Sequence, residues 1–311
     1  MRIGLISHPD CYLHEMGVSH PEQPARLAYI DKAVLNSDLN ITYYEAPLAK
    51  RQHLIRAHQQ EYVDLIFNII PSEGFIALDP DVLMSPYSLN AALRAAGSAI
   101  YAVELVIKQE KDLIFCNVRP PGHHAEKNKA MGFCIFNNIA VGAAHALEEF
   151  GLRRVAIIDF DVHHGNGTEN IFYNDERVLY CSTFEHPFYP FSGADTRKNH
   201  IINIPLPANT SGALYREAVA TKWFKSLEEF APEMIFISAG FDAYYKDPLA
   251  HLLLKEEDYF WLSQHIKRIA DKVCDGRIVS ILEGGYDLEG LGSCVVAHLK
   301  GLSKPAINPS L

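Results

Sequence analysis

Short apolar runs alternate with longer amphipathic stretches along most of the chain. The runs at 3–7, 113–118, 155–159, 178–182, 200–204, 234–238 and 278–282 have strand length and predict strands. Between several of them, 89–108, 137–150, 214–230 and 256–274 space their apolar residues as amphipathic helices do. Runs that are apolar on both faces and alternate with helices predict a parallel sheet covered on both sides. No linker, low-complexity segment or internal repeat interrupts the pattern, so a single α/β domain over 1–311 is expected.

Polar residues gather where strands end. The strand at 113–118 runs into "RPPGHHAE", and 155–159 into "DFDVHHGNGT". In the same way 234–238 runs into "SAGFDA", and 278–282 into "LEGGYDLEG". Ligands of open α/β sheets bind outside the carboxyl ends of the strands, so these loops could build one site. In an extended segment Asp159, Asp161 and His163 share a face. Asp161 and His163 then offer ligands to a metal such as Zn²⁺, with Asp242 as a natural third. Three protein ligands with an open position describe a catalytic zinc site. Ordinary turn hydrogen bonds are the competing reading of the same pair. His123 and His124 can present two imidazoles to one reacting centre, as general base and general acid. Asp159 and Asn166 are available to orient them. Tyr286, after two glycines, could donate to an oxyanion, and Phe133 and Tyr189 could wall an apolar channel.

Composition narrows the field. The chain is 48% apolar and 21% charged, the balance of a soluble globular protein. Its net charge of −10 counts against nucleic acid and anionic membranes as partners. The start, "MRIGLISHPD", looks like a strand and a turn rather than a signal peptide, and no apolar segment is expected to span a bilayer. The six cysteines form no CxxC pair and are expected to be reduced, with the cytoplasm as the expected compartment. There is no GxSxG, no P-loop, no HExxH and no GxGxxG after the first strand.

Taken in order, "HPEQPARL", "RPPGHHA", "GFCIFNNIAVGA", "DFDVHHGNGT", "SAGFDAYYKDPLA" and "LEGGYDL" resemble the zinc-dependent histone deacetylases. The resemblance extends to their bacterial relatives, the acetoin-utilisation proteins and acetylpolyamine amidohydrolases, and covers nearly the whole chain. It implies the arginase/deacetylase fold, a parallel sheet of about eight strands flanked by helices. It also implies one catalytic Zn²⁺ on Asp161, His163 and Asp242, with His123, His124 and Tyr286 as catalytic groups. Gly132, Phe133 and Tyr189 would line the acyl-lysine tunnel. A structural K⁺ would sit on Asp159, Ser182 and the backbone of Asp161, His163 and Thr183, so that two cations offset the buried acids. Asn166 is the class II residue at a position where class I members have Asp. A neutral amide should leave His124 with a lower pKa than an aspartate would. The implied activity is removal of acetyl or other acyl groups from N-acyl-lysine in a protein or peptide. Acetylpolyamine or another small N-acyl amine is the alternative substrate. A non-catalytic acyl-binding protein should lack a ligand or the tyrosine, and an arginase-like hydrolase would need further acidic ligands. Leu249 follows the "DP" of "FDAYYKDPLA", where the polyamine-selective branch carries an acidic residue.

Overall fold

The core strands are apolar on both faces, so the sheet they form needs cover on both. In the computed structural model, which describes residues 2–303, ten strands occur. They are β1 (Ile3–Ser7), β2 (Ile41–Glu45), β3 (Ile76–Asp79), β4 (Val82–Met84), β5 (Leu113–Cys116), β6 (Val155–Asp159), β7 (Val178–Glu185), β8 (Ile201–Leu206), β9 (Ile235–Ala239) and β10 (Ile278–Leu282). Eight form the central sheet in the order β2-β1-β5-β10-β9-β6-β7-β8, and every neighbouring pair is parallel. Every residue of β5, β6, β7, β9 and β10 is buried. β3 and β4 form a separate antiparallel hairpin. Met1 and 304–311, part of the expected 1–311 domain, lie outside the described residues.

The helices are α1 (Ala25–Leu35), α2 (Arg51–Leu54), α3 (Gln60–Asn68), α4 (Ser88–Ile107), α5 (Asn138–Glu149), α6 (Asn166–Phe172), α7 (Gly212–Phe230), α8 (Glu256–Val273) and α9 (Leu288–Ser303). α4 and α5 pack on each other and on the central strands, while α1, α9, α8 and α7 pack side by side in that order. Against expectation, α4 is long and apolar enough to cross a membrane. Its apolar surface is instead used here: most of the helix is buried within the fold, against β1, β5 and β10.

The sheet order decides where chemistry can gather. β5, β10, β9 and β6 are consecutive neighbours, and all run the same way. The four polar loops therefore leave the same edge side by side.

A buried ion cluster ties the N-terminal loop to that edge. Glu22 takes both oxygens to the guanidinium of Arg119, just past β5, and also pairs with Arg26 at 3.1 Å. Arg119 Nη1 donates to the carbonyls of Cys11 and His14 at 3.0 and 3.1 Å. Arg26 donates to the carbonyls of Glu283 and Gly285 in the loop after β10. All three side chains are fully buried. Burial alone would raise the Glu22 pKa, but Arg119 and then Arg26 outweigh it and hold it down to about 2. A folded-state pKa below the ordinary 4.5 contributes stability above that value, and the contribution fades as pH falls toward about 2. Glu22→Gln should cost about 3–5 kcal/mol at pH 7, because it strands two buried guanidiniums. Urea denaturation of both proteins should show the gap narrowing as pH drops through that window. A constant gap would mean that the loss is one of shape.

Candidate active site

The loops after β6 and β9 bring Asp161, His163 and Asp242 together. Their ligand-type atoms all lie within 4.8 Å of one another, the one such cluster among the described residues. His163 Nδ1 is 3.1 Å from Asp161 Oδ1 and 3.2 Å from Asp242 Oδ2. A tetrahedral zinc with bonds of about 2.0 Å sets ligand atoms about 3.3 Å apart. The donor set of two carboxylates and an imidazole therefore fits such an ion in spacing and in chemistry.

The backbone holds the carboxylates in place. Gly284 N donates to Asp161 Oδ2 at 2.8 Å, and Val162 N donates to Asp242 Oδ1 at 2.9 Å. Asp242 Oδ2 is buried and receives no hydrogen bond. A buried carboxylate oxygen without a donor is costly unless a cation meets it. The crowding excludes side chains from the loops above. A Cβ at Gly284 would fall 2.0 Å from Asp242 Oδ2, and one at Gly240 would fall 2.1 Å from Asp161 Oδ2. Burial and then Asp161 raise the Asp242 pKa. For His163, burial opposes charge, yet the hydrogen bond to Asp161 and the nearby carboxylate of Asp242 outweigh it and raise its pKa to about 10. These acids call for positive charge.

The tandem histidines follow β5. Their rings lie 4.0 Å apart and both are buried, but their partners differ. His123 Nδ1 is 3.0 Å from Asp159 Oδ2, and its Nε2 is 3.7 Å from Asp161 Oδ1. Burial disfavours a charged His123, but Asp161 and Asp159 outweigh that and raise its pKa. His124 Nδ1 is 2.7 Å from Asn166 Oδ1. Its pKa falls through burial first, then through His123 and His163. The neutral amide of Asn166 does not reverse the fall.

These groups border a cavity of about 280 Å³ whose wall includes His123, His124, His163, Gly132, Phe133, Tyr189, Leu249 and Tyr286. Asp159, Asp161, Asp242 and Asn166 stand behind that wall, holding the histidines or forming the ligand cluster. The Phe133 and Tyr286 rings meet edge to face at 6.0 Å, and the Arg26 guanidinium sits 4.9 Å from the Tyr286 ring centre. Ser182 is paired in register with Asp159, and its buried Oγ has no partner. Thr183 Oγ1 instead meets the Tyr215 hydroxyl at 3.2 Å.

Several residues that matter here escaped the reading of the chain. Phe188 stacks on His163 at 5.7 Å and lines the cavity beside Tyr189. Asp81, in the β3–β4 turn, accepts from Gly132 N and from the Tyr189 hydroxyl, each at 3.2 Å. Tyr180 donates to Asp159 Oδ2 at 2.9 Å. Glu283 accepts from Gly122 N at 2.6 Å, His123 N at 3.1 Å and Ser238 Oγ at 3.0 Å. Burial raises its pKa to about 7 despite His123 and those donors. Asp247 accepts from Tyr286 N at 2.6 Å and so fixes the tyrosine's backbone. Glu283 and Asp247 both lie inside "LEGGYDL" and "SAGFDAYYKDPLA", where an acid at a strand end was a usable signal.

Residues 20–302 match the histone deacetylase domain model. A probable deacetylase of Archaeoglobus fulgidus is 36% identical, over 99% of this chain and 89% of its own length. A histone deacetylase-like amidohydrolase of Pseudomonas aeruginosa is 34% identical, over 91% of this chain and 76% of its own length. The crystal structure of the HDA15 HD domain superposes with a TM-score of 0.90 at 31% identity, covering 97% of this chain and 89% of that one. The all-parallel eight-stranded sheet and its flanking helices are thus the histone deacetylase fold. With the family model spanning most of its length, this chain belongs to the histone deacetylase family of hydrolases.

Proposed function

We propose that the protein is a zinc-dependent amidohydrolase that removes acetyl or other acyl groups from N-acyl-lysine in proteins or peptides. The observation that carries this reading is the convergence of Asp161, His163 and Asp242 beside a narrow, largely apolar cavity bordered by both histidines and Tyr286. Zn²⁺ held by those three residues would polarise the acyl carbonyl and acidify a water. His124, bonded through Nδ1 to a neutral amide, keeps Nε2 for the cavity and takes the proton from water. It then delivers that proton to the leaving amine. His123, set between Asp159 and Asp161, holds positive charge beside the reacting carbonyl. Tyr286 donates a hydrogen bond to the oxygen that becomes negative. Water thus cleaves the amide to a carboxylate and a free amine, without a covalent intermediate. Phe133, Phe188 and Tyr189 suit a lysine's methylene chain between them. K⁺ is proposed for the pocket of Asp159, Ser182 and the carbonyls of Asp161, His163 and Thr183. The unpartnered Ser182 Oγ beside a buried aspartate supports that assignment.

The substrate choice turns on the rim. Leu249 borders the cavity, and an acidic residue there would face the distal cation of a polyamine. A carboxylate–ammonium contact of 4 Å at an effective dielectric near 20 is worth about 4 kcal/mol before desolvation. Without it the enzyme should prefer acetyl-lysine peptides or neutral acyl amines over acetylspermidine. The deciding assay is a panel of acetyl-lysine peptides, longer acyl-lysines and acetylpolyamines, each with and without chelator. Acetylspermidine as the best substrate would favour the small-amine alternative.

Three variants test the roles. Asp242→Ala should lose bound zinc, measured by elemental analysis, together with turnover. Stoichiometric zinc with near wild-type rates would remove Asp242 from the ligand set. Tyr286→Phe should keep its zinc while kcat falls roughly 10²–10³-fold. An ordinary kcat would take the tyrosine out of the reaction. Leu249→Glu should raise kcat/KM for acetylspermidine relative to an acetyl-lysine peptide, and an unchanged ratio would sink the rim argument.

A further inference from the structure

The ring of His124 has little freedom to turn. Gly132 lies so close over it that a Cβ there would be 2.3 Å from His124 Cδ2. With the ring fixed, which nitrogen carries the proton is decided by what Nδ1 meets. Asn166 could offer it either face of its amide, because the oxygen accepts and the NH₂ donates. Only the oxygen-inward amide requires a proton on Nδ1 and leaves Nε2 with a lone pair for the cavity.

One contact selects that orientation. Asn166 Nδ2 donates to Glu126 Oε1 at 2.8 Å, with Met131 Sδ a weaker acceptor at 3.4 Å. A carboxylate has no proton to give, so it draws the NH₂ outward and turns the oxygen toward His124 at 2.7 Å. The backbone of Glu126 is itself held: its N donates to Lys129 O, and its O meets His58 Nδ1 at 2.8 Å. We infer that Glu126 is a positioning residue that sets the proton-accepting tautomer of His124 by fixing the amide of Asn166. Neither the family match nor the motif reading assigns it this role, though the inference rests on His124 as the proton carrier.

The test uses the zinc-loaded protein, with ¹⁵N NMR of the histidine ring nitrogens beside steady-state kinetics. Wild type should show His124 as the single Nδ1–H tautomer. Glu126→Leu, which has no acceptor, should show a share of the Nε2–H tautomer and a kcat lower by about three- to tenfold, with KM unchanged. Zinc content and melting temperature should match wild type, which excludes a folding defect. Glu126→Gln keeps a carbonyl acceptor and should stay near wild type. Asn166→Asp in the Glu126→Leu background restores an obligate acceptor, so the form with a bare Nδ1 should disappear, whatever share of the ring is then imidazolium. A Glu126→Leu protein with only the Nδ1–H tautomer and wild-type kcat would overturn the proposal. Equal impairment of the Leu and Gln variants would also overturn it, since charge and not orientation would then be at work. The spectra are read without substrate, so a protein inactive on every acyl amine would refute the proposed reaction while leaving the tautomer result to be judged alone.

Discussion

Four buried acids at the ends of adjacent parallel strands set the terms for the rest of this structure. Asp159, Asp161, Asp242 and Glu283 are all nearly or wholly inaccessible to solvent. Burying that much negative charge is prohibitive unless backbone donors, protonated partners or cations offset it. Backbone amides supply part of the compensation at Gly284, Val162, Gly122 and His123. His123 and His163 supply another part. What is left over, above all the unmet oxygen of Asp242, converges on one point. The zinc proposed for this point would offset that surplus, and the small residues of the surrounding loops follow from the lack of room.

The braces around the site serve the same constraint from the other side. Tyr286 can act on a carbonyl only if the loop after β10 stays put. Arg26 grips that loop through the carbonyls of Glu283 and Gly285, and Asp247 holds the amide of Tyr286. Arg26 is in turn neutralised by Glu22, which also holds Arg119 at the end of β5. The N-terminal loop therefore braces the loop that carries Tyr286, although none of its ion cluster lines the cavity.

Much of this was legible from the chain because the deep strands are unambiguous. All seven expected strands form with ends shifted by two residues or fewer, except that β7 runs on to Glu185. The four expected helices also form, with ends shifted by two residues or fewer. What escaped lacked a clean period or drew its order from distant contacts. β2, "ITYYE", is an edge strand, half open to solvent, with tyrosines where a core strand would have aliphatic residues. α9, "LEGLGSCVVAHLKGLS", contains glycines that weaken a helical reading. They are there for close packing: a Cβ at Gly292 would meet Tyr29 O of α1 at 2.9 Å, and one at Gly301 would meet Phe260 O of α8 at 2.5 Å. At the site, the residues in the strand-end motifs do come together in space. Phe188, Asp81 and Glu126 were harder to see, since their roles depend on how loops fold back over the cavity.

The two neighbouring histidines show how little sequence difference separates two chemical roles. Identical side chains, one residue apart and both buried, face opposite demands because one meets a carboxylate and the other an amide. The carboxylate stabilises an imidazolium, so His123 suits fixed positive charge. The amide stabilises no charge, and a neighbouring cation on His123 further disfavours protonation of His124. A proton carrier must be able to release what it takes up, and the neutral partner keeps that exchange within reach. A second aspartate in place of Asn166 would strengthen the hydrogen bond but retain the proton more firmly. The amide therefore gives His124 direction without holding its charge, and in the proposed reaction this division of labour would let one histidine act as a field and the other as a shuttle.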